Sequence, residues 1–200
     1  AGENINFNWE EVKQKQRNIL VLWNLHKFVR DLADEIKVNP DKIKKFNKAS
    51  IEEKYILSKL NSTIEEVTEL FDDYKLDETI SKIEELFLEL SRTYIHFVRD
   101  KSSIGDKKEK ELVLAVIYNV LLENLKLFSL ICPFITEKIY QNLKEKFKLK
   151  QESIHLFDWP KANKKLINKS LENNIQIAKQ VIVQKIREAE RGLVFDDYKK

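Results

Sequence analysis

Apolar residues recur along most of this chain in steps of three and four, the spacing that stacks side chains on one face of an α-helix. Leu22, Leu25, Val29, Leu32 and Ile36 form the first stripe. Asn8 and Glu11 read as the capping box that opens this helix, and Asn39-Pro40 ends it near Val38. Residues 41–49 make a basic connector with room for one helical turn. Ser50 and Glu53 form a second capping box ahead of Ile56, Leu60, Ile64, Val67 and Phe71. A third stripe runs through Ile80, Ile83, Phe87, Leu90, Tyr94 and Phe97, and ends near Gly105. Asp106 and Glu109 cap a fourth helix whose residues 112–122 are apolar nearly all round, which places it at the centre of the molecule.

Pro133 fits the first turn of a fifth helix, where a missing amide costs nothing. Ile154 and Leu156 alternate with His155, which predicts a short extended piece before a turn at Trp159-Pro160. A last helix spans about 170–191, with Gly192 as its C-terminal stop. The pattern therefore predicts an all-α protein: an antiparallel helix bundle of about five main helices over residues 1–150, and a small C-terminal extension, 151–200, holding the extended segment and the last helix. Ala1-Gly2 reads as a leftover of cloning.

Composition narrows this further. Only three glycines and three prolines occur in 200 residues, too few for a turn-rich sheet protein. With glycine only at positions 2, 105 and 192, a phosphate-cradling glycine loop is excluded. The single cysteine, Cys132, fits a reducing, cytoplasmic compartment and reads as a small buried apolar residue. No apolar run is long enough for a membrane span. His26, His96 and His155 fall in separate elements, so no metal triad is expected. Adjacent carboxylates such as Glu65-Glu66 and Asp72-Asp73 diverge by about 100° on a helix and read as solvated faces. No catalytic constellation emerges.

The net charge is only +3, but it is unevenly spread. Residues 51–90 carry four basic and twelve acidic side chains, whereas 138–169 carry nine basic and three acidic ones. Such asymmetry can steer a polyanion to one part of the surface. Arg92, His96 and Arg99 fall at i, i+4 and i+7, on one face of a regular helix, with Tyr94 and Phe97 turned to the core. Two guanidiniums and an imidazole suit phosphate contact, and salt bridging with nearby carboxylates is an equal alternative.

Several segments resemble one family in order along the chain. Leu22-Trp23-Asn24, Lys54-Tyr55-Ile56-Leu57-Ser58-Lys59-Leu60-Asn61-Ser62 and Ile64-Glu65-Glu66-Val67-Thr68 are similar to the helices of the anticodon-binding domain in the class I aminoacyl-tRNA synthetases for valine, isoleucine and leucine. So are Pro133-Phe134-Ile135-Thr136-Glu137-Lys138-Ile139-Tyr140-Gln141-Asn142-Leu143 and the segment from Glu152 to Pro160. Leu90-Ser91-Arg92-x-Tyr94-Ile95 with Arg99-Asp100 looks most like the isoleucyl-tRNA synthetases. Thr93, where that family usually has an aromatic residue, Ser129-Leu130 in place of Ala-Pro, and the tail after Gly192 depart from it.

The resemblance implies a non-catalytic fragment that recognises the anticodon stem and loop of tRNA, with tRNA(Ile) the expected partner. The full-length enzyme would join isoleucine to that tRNA with ATP and Mg²⁺, through a catalytic domain of the same polypeptide. Its Lys-Met-Ser-Lys-Ser signature cannot lie here, since the chain has no methionine. Candidate tRNA contacts are Arg92, His96 and Arg99, Lys54 and Lys59, and Lys138, Lys144, Lys146 and Lys148. Trp9 and Trp159 are candidates for stacking on a base, while Trp23 belongs to a buried stripe. The same domain of a valyl- or leucyl-tRNA synthetase, and a helical scaffold for protein partners, stay open as alternatives.

Overall fold

The computed structural model describes residues 7–43, 46 and 49–197, with side chains as far as Lys185. Ala1-Gly2, part of the basic connector and the last three residues of the tail lie outside that set. Among the described residues the chain is helical throughout, without a strand. Two compact units divide it, one ending at Ile167 and the other beginning at Asn168. Residues 151–167, expected in the C-terminal extension, belong by their contacts to the first unit.

In the first unit α1 spans Trp9–Ile36, α2 Ile51–Asp72, α3 Leu76–Glu89, α4 Ile95–Phe97, α5 Arg99–Ser103, α6 Lys107–Phe128 and α7 Pro133–Phe147. The ends of these helices follow from the caps. Asp106 and Glu109 form the expected capping box, with Asp106 Oδ1 accepting from the Glu109 amide (2.8 Å) and Glu109 Oε2 from the Asp106 amide (2.9 Å). Ser50 and Glu53 form the other. Asn8 makes half of a box: its Oδ1 accepts from the Glu10 amide (2.9 Å), while Glu11 meets the Asn8 side chain. The first helix stops at Ile36, because Lys37 turns left-handed (φ 57°) and the Val38 amide reaches back to the Ala33 carbonyl (3.1 Å).

Residues 113–118 of α6 are buried on every side, and Val120, Leu121, Leu125, Leu127 and Phe128 continue the buried face, while Asn119, Leu122, Glu123 and Lys126 are half-buried. The helix packs against α1, α2, α3, α5 and α7 and forms the axis of the core. Leu22, Leu25, Val29 and Leu32 of α1, Ile56, Leu60, Ile64 and Val67 of α2, and Ile83 and Phe87 of α3 close around it.

Two expectations need correction. Residues 153–160 are not an extended piece: Ile154–Leu156 is a 3-10 turn flanked by extended backbone at Ser153 and Phe157. Glu137 of α7 explains this, since its Oε2 accepts from Ser153 Oγ (2.8 Å) and the Ile154 amide (3.0 Å), and Ser153 Oγ then caps the His155 amide (3.2 Å). Of the two alternating residues only Ile154 is buried, while Leu156 is 59% exposed, so the alternation did not mark a half-buried strand. The second unit is mainly one helix, α8, Lys169–Asp197, which runs through Gly192. A helix-interior glycine costs only about 1 kcal/mol, and the Leu193-Val194-Phe195 that follow contain no breaker.

Candidate nucleic-acid interface

The up-and-down course of the bundle decides which charges meet. The last turn of α1 reaches α7 and α6: Asp34 holds Lys146, Lys110 Nζ lies 2.5 Å from Glu35 Oε1, and Asn39 Nδ2 donates to the Phe147 carbonyl (2.8 Å). The first turn of α2 meets α5 through Lys101, whose Nζ donates to Ser50 Oγ (2.6 Å). One end of the bundle thus collects the C-terminal turns of α1 and α7, the N-terminal turns of α2 and α6, and the 90–105 segment. Lys54, Arg92, His96, Arg99, Lys144, Lys146 and Lys148 all lie in these elements. The opposite end holds the turn from α2 to α3, with Glu69, Asp72, Asp73, Asp77 and Glu78. The asymmetry of the sequence does not resolve into two clean poles, because Glu52, Glu53 and Glu89 sit at the first end and Lys164 pairs with Glu65 (2.8 Å) beside the far half of α2.

The segment carrying Arg92, His96 and Arg99 is not the regular helix the spacing suggests. Leu90–Tyr94 is a π-turn between α3 and α4, and Val98 breaks the helix again before α5. A π-turn inserts one residue into the ladder, so the i, i+4, i+7 register fails across it. Tyr94 is buried as expected, but Val98 fills the core where Phe97 was expected, and Phe97 is 41% exposed. Arg92, His96 and Arg99 are all exposed, and none pairs with a described carboxylate.

A buried polar cluster anchors this segment on α2. Glu53 is fully buried and accepts from Ser50 Oγ, the Ser50 amide (2.9 Å), Tyr94 Oη (3.4 Å) and Lys101 Nζ (3.2 Å). Beside it Tyr55 Oη donates to Glu89, which also lies buried. Burial, with Glu53 next to it, raises the Tyr94 phenol far above its ordinary value and keeps it a hydrogen-bond donor. Burial alone would pull Lys101 down, but its contacts with Glu53 and Glu52 outweigh it and hold the ammonium above its ordinary value. Glu52 experiences the converse: burial raises it, while Ser50, a backbone amide and Lys101 together leave it lowered.

The lysine candidates divide by their partners. Lys54, Lys138 and Lys148 are exposed without a described carboxylate partner. Lys59 pairs with Glu85 (2.7 Å), Lys144 with Glu152 (2.6 Å) and Lys146 with Asp34. Lys138, Lys144 and Lys148 line one shallow cleft of about 440 Å³ together with Gln141 and Asn142. Lys59 instead faces α3, away from that group.

Of the stacking candidates, Trp159 is withdrawn from the surface by packing: its Nε1 donates to Thr68 Oγ1 (2.8 Å) and its ring stands edge-to-face on Phe71 at 5.3 Å. Trp9 is 69% exposed and packs on Phe7. Trp23 is half-buried against His26, with Lys27 over its ring. Cys132 is half-buried, and burial, with Glu84 nearby, pushes its thiol up, which disfavours the thiolate. The periodic stripe placed Phe97 in the core, so its exposure was missed, and no pattern singled out exposed Lys42 and Lys150, whose neighbours are set by tertiary packing.

An all-helical bundle that gathers exposed cations in the elements of one end, among carboxylates that hold some of their neighbours, offers a surface suited to a polyanion. The comparisons with known proteins make this specific. Residues 53–192 match the family described as the anticodon-binding domain of tRNA ligase, and the chain belongs to that family. It is 33% identical over 187 residues to the isoleucine–tRNA ligase of Thermococcus kodakarensis, covering 90% of this chain and 17% of that protein. It is 35% identical over 179 residues to the isoleucine–tRNA ligase of Clostridium tetani, again covering 17% of the relative and 88% of this chain. With the enzyme of Pyrococcus abyssi it shares 32% over 187 residues. The chain thus spans about a sixth of the length of these relatives.

Proposed function

We propose that this chain is the anticodon-recognising part of an isoleucine–tRNA ligase, and that the basic end of its bundle docks on the anticodon stem and loop of tRNA(Ile). The observation that carries the reading is the gathering of Arg92, His96, Arg99, Lys54 and Lys148, exposed and without described carboxylate partners, in elements that meet at one end of the bundle. Guanidinium and ammonium groups there bind backbone phosphates and set the register of the RNA, while unpaired loop bases are read by stacking and edge hydrogen bonds. Lys138 extends the contact along α7. Lys59, Lys144 and Lys146 join it only by exchanging their carboxylates for phosphates.

The isoleucine enzyme is favoured over its valine and leucine relatives by the named proteins to which the chain is similar. Activation of isoleucine with ATP and Mg²⁺, in the cytoplasm, belongs to a catalytic domain of the same polypeptide. Among the described residues no group of three or more His, Cys, Asp or Glu could hold a metal ion. Nor does any described helix have the length and apolarity to cross a membrane.

A fluorescence titration with a tRNA(Ile) transcript, the same transcript with a scrambled anticodon, and a tRNA(Val) tests the reading. Tighter binding of the intact tRNA(Ile) is the expected result. Equal, purely salt-controlled binding of all three would reduce the surface to a general polyanion site and return the protein-scaffold alternative.

A further inference from the structure

The cleft on α7 is not uniformly basic. Lys138, Gln141, Asn142, Glu145 and Lys148 follow one another in steps of three and four, so they share one face. Lys138 stands at one end and Lys148 at the other, both exposed and without a described carboxylate partner. Lys144, beside them, is held by Glu152. The centre of the face is made of acceptors. Gln141 Nε2 donates to Glu137 Oε1 (2.6 Å) and to the Glu152 carbonyl (2.7 Å), which uses both of its hydrogens. Asn142 Nδ2 lies 3.3 Å from Nε2 of His26, a fully buried ring packed on Trp23 at 4.4 Å. Burial lowers the His26 pKa, so the imidazole is neutral and its Nε2 accepts from Asn142. Both carboxamides are therefore pinned by their nitrogens. Among the described residues no donor meets Gln141 Oε1 or Asn142 Oδ1, and both oxygens are left for the cleft, beside the exposed carboxylate of Glu145.

We propose that this face reads the sugar of an RNA strand: a ribose 2′-hydroxyl donates to the acceptors at its centre, and phosphates to either side rest on Lys138 and Lys148. The proposal rests on the RNA-docking reading above and deepens it, by making one contact selective for ribose over deoxyribose. The order of groups along α7 complements the strand. Cation, acceptors and cation on the helix answer phosphate, hydroxyl and phosphate on the RNA. The 2′-hydroxyl is the group that tells RNA from DNA. Opposite a deoxyribose the carboxamide oxygens would lose water and gain no donor, which disfavours binding. Glu145 keeps phosphate off the centre and offers a further acceptor. An acidic peptide would use the lysines alone and meet repulsion from Glu145. His26 is a positioning residue in this site. Without its Nε2 lone pair the Asn142 carboxamide turns freely, and presents a donor to the cleft as readily as an acceptor.

The test uses the 200-residue chain and an RNA hairpin carrying the isoleucine anticodon stem and loop, with versions in which one ribose at a time is 2′-deoxy. Single replacements keep the hairpin in its RNA form, so its shape is held constant. One replacement is expected to weaken binding roughly threefold to tenfold, the effect of one or two hydrogen bonds. In the double variant Gln141→Met, Asn142→Leu that replacement should have no further effect, while the salt slope of binding stays the same. Lys138→Ala should do the opposite, lowering the salt slope by about one and leaving the deoxy effect in place. His26→Phe should match Asn142→Leu, whereas His26→Gln, which supplies an acceptor again, should recover the ribose preference. If circular dichroism shows that these variants do not fold, Gln141→Met alone carries the cycle and should shrink the deoxy effect. A deoxy effect of full size in the folded variants, or none at any position with the hairpin bound, would overturn ribose reading and leave the docking end intact. Failure of the unmodified chain to bind the hairpin would bring down the docking reading and this proposal with it.

Discussion

Glu53 ties the segment carrying Arg92, His96 and Arg99 to α2, through Tyr94 and Lys101. It sits fully buried at the start of α2, and Lys101 is the cation that reaches it from α5. Removing one partner of a buried charge pair leaves the other uncompensated, which costs on the order of 3 kcal/mol. Lys101→Ala should therefore lower stability by about that amount in urea unfolding, and weaken RNA binding by loosening the Arg92–Arg99 segment. A loss near zero would show that Ser50 and Tyr94 satisfy Glu53 unaided. His26 makes a pH-dependent contribution. Burial holds its pKa below the ordinary 6.5, with Arg30 and Lys27 pushing the same way. The unfolded chain then binds a proton that the folded chain refuses, so stability is complete above pH 6.5 and falls as pH drops below it. Thermal unfolding between pH 7 and 5 should show this decline, and His26→Gln should flatten it.

At the level of elements, the corner between α5 and α6 is the tightest joint. A Cβ on Gly105 would lie 2.3 Å from the Lys101 carbonyl oxygen, a backbone atom that cannot swing aside. Gly105→Ala should cost about 1–3 kcal/mol, read as a lower urea midpoint, with helix content by circular dichroism largely kept. The helices themselves were legible in sequence, since the capping boxes at Ser50-Glu53 and Asp106-Glu109 and the all-apolar run of α6 are local signals. The π-turn at Leu90–Tyr94 was not. Its residues have ordinary helix propensities, and the turn goes with contacts to α2, where Tyr94 reaches Glu53 across 41 positions of chain. Sequence likewise named the lysines near 144–148 but could not show that Asp34 and Glu152 hold two of them. It showed no sign of the anchors on Gln141 and Asn142, which reach them from Glu152 and from His26 of another helix.

On the scale of the whole first unit, the arrangement of charge decides how strongly ionic strength governs its proposed RNA contact. With about six phosphate contacts, affinity should fall roughly a thousandfold between 50 and 200 mM salt. Arg92→Ala and Arg99→Ala should each reduce the slope of log affinity against log salt by about one, uniformly across RNA sequences. Unchanged slopes in folded variants would take that segment out of the contact. The acidic turn from α2 to α3 has a role in the same picture without touching the ligand. A strongly acidic pole opposite one where cations and carboxylates nearly balance gives the bundle an electric moment along its length. An approaching polyanion exerts a torque on such a body before any atoms meet, so a random collision becomes an oriented one. Replacing Asp72, Asp73 and Asp77 with Asn should slow productive encounters at low salt and let RNA linger on the wrong pole, while dissociation from the correct one stays the same.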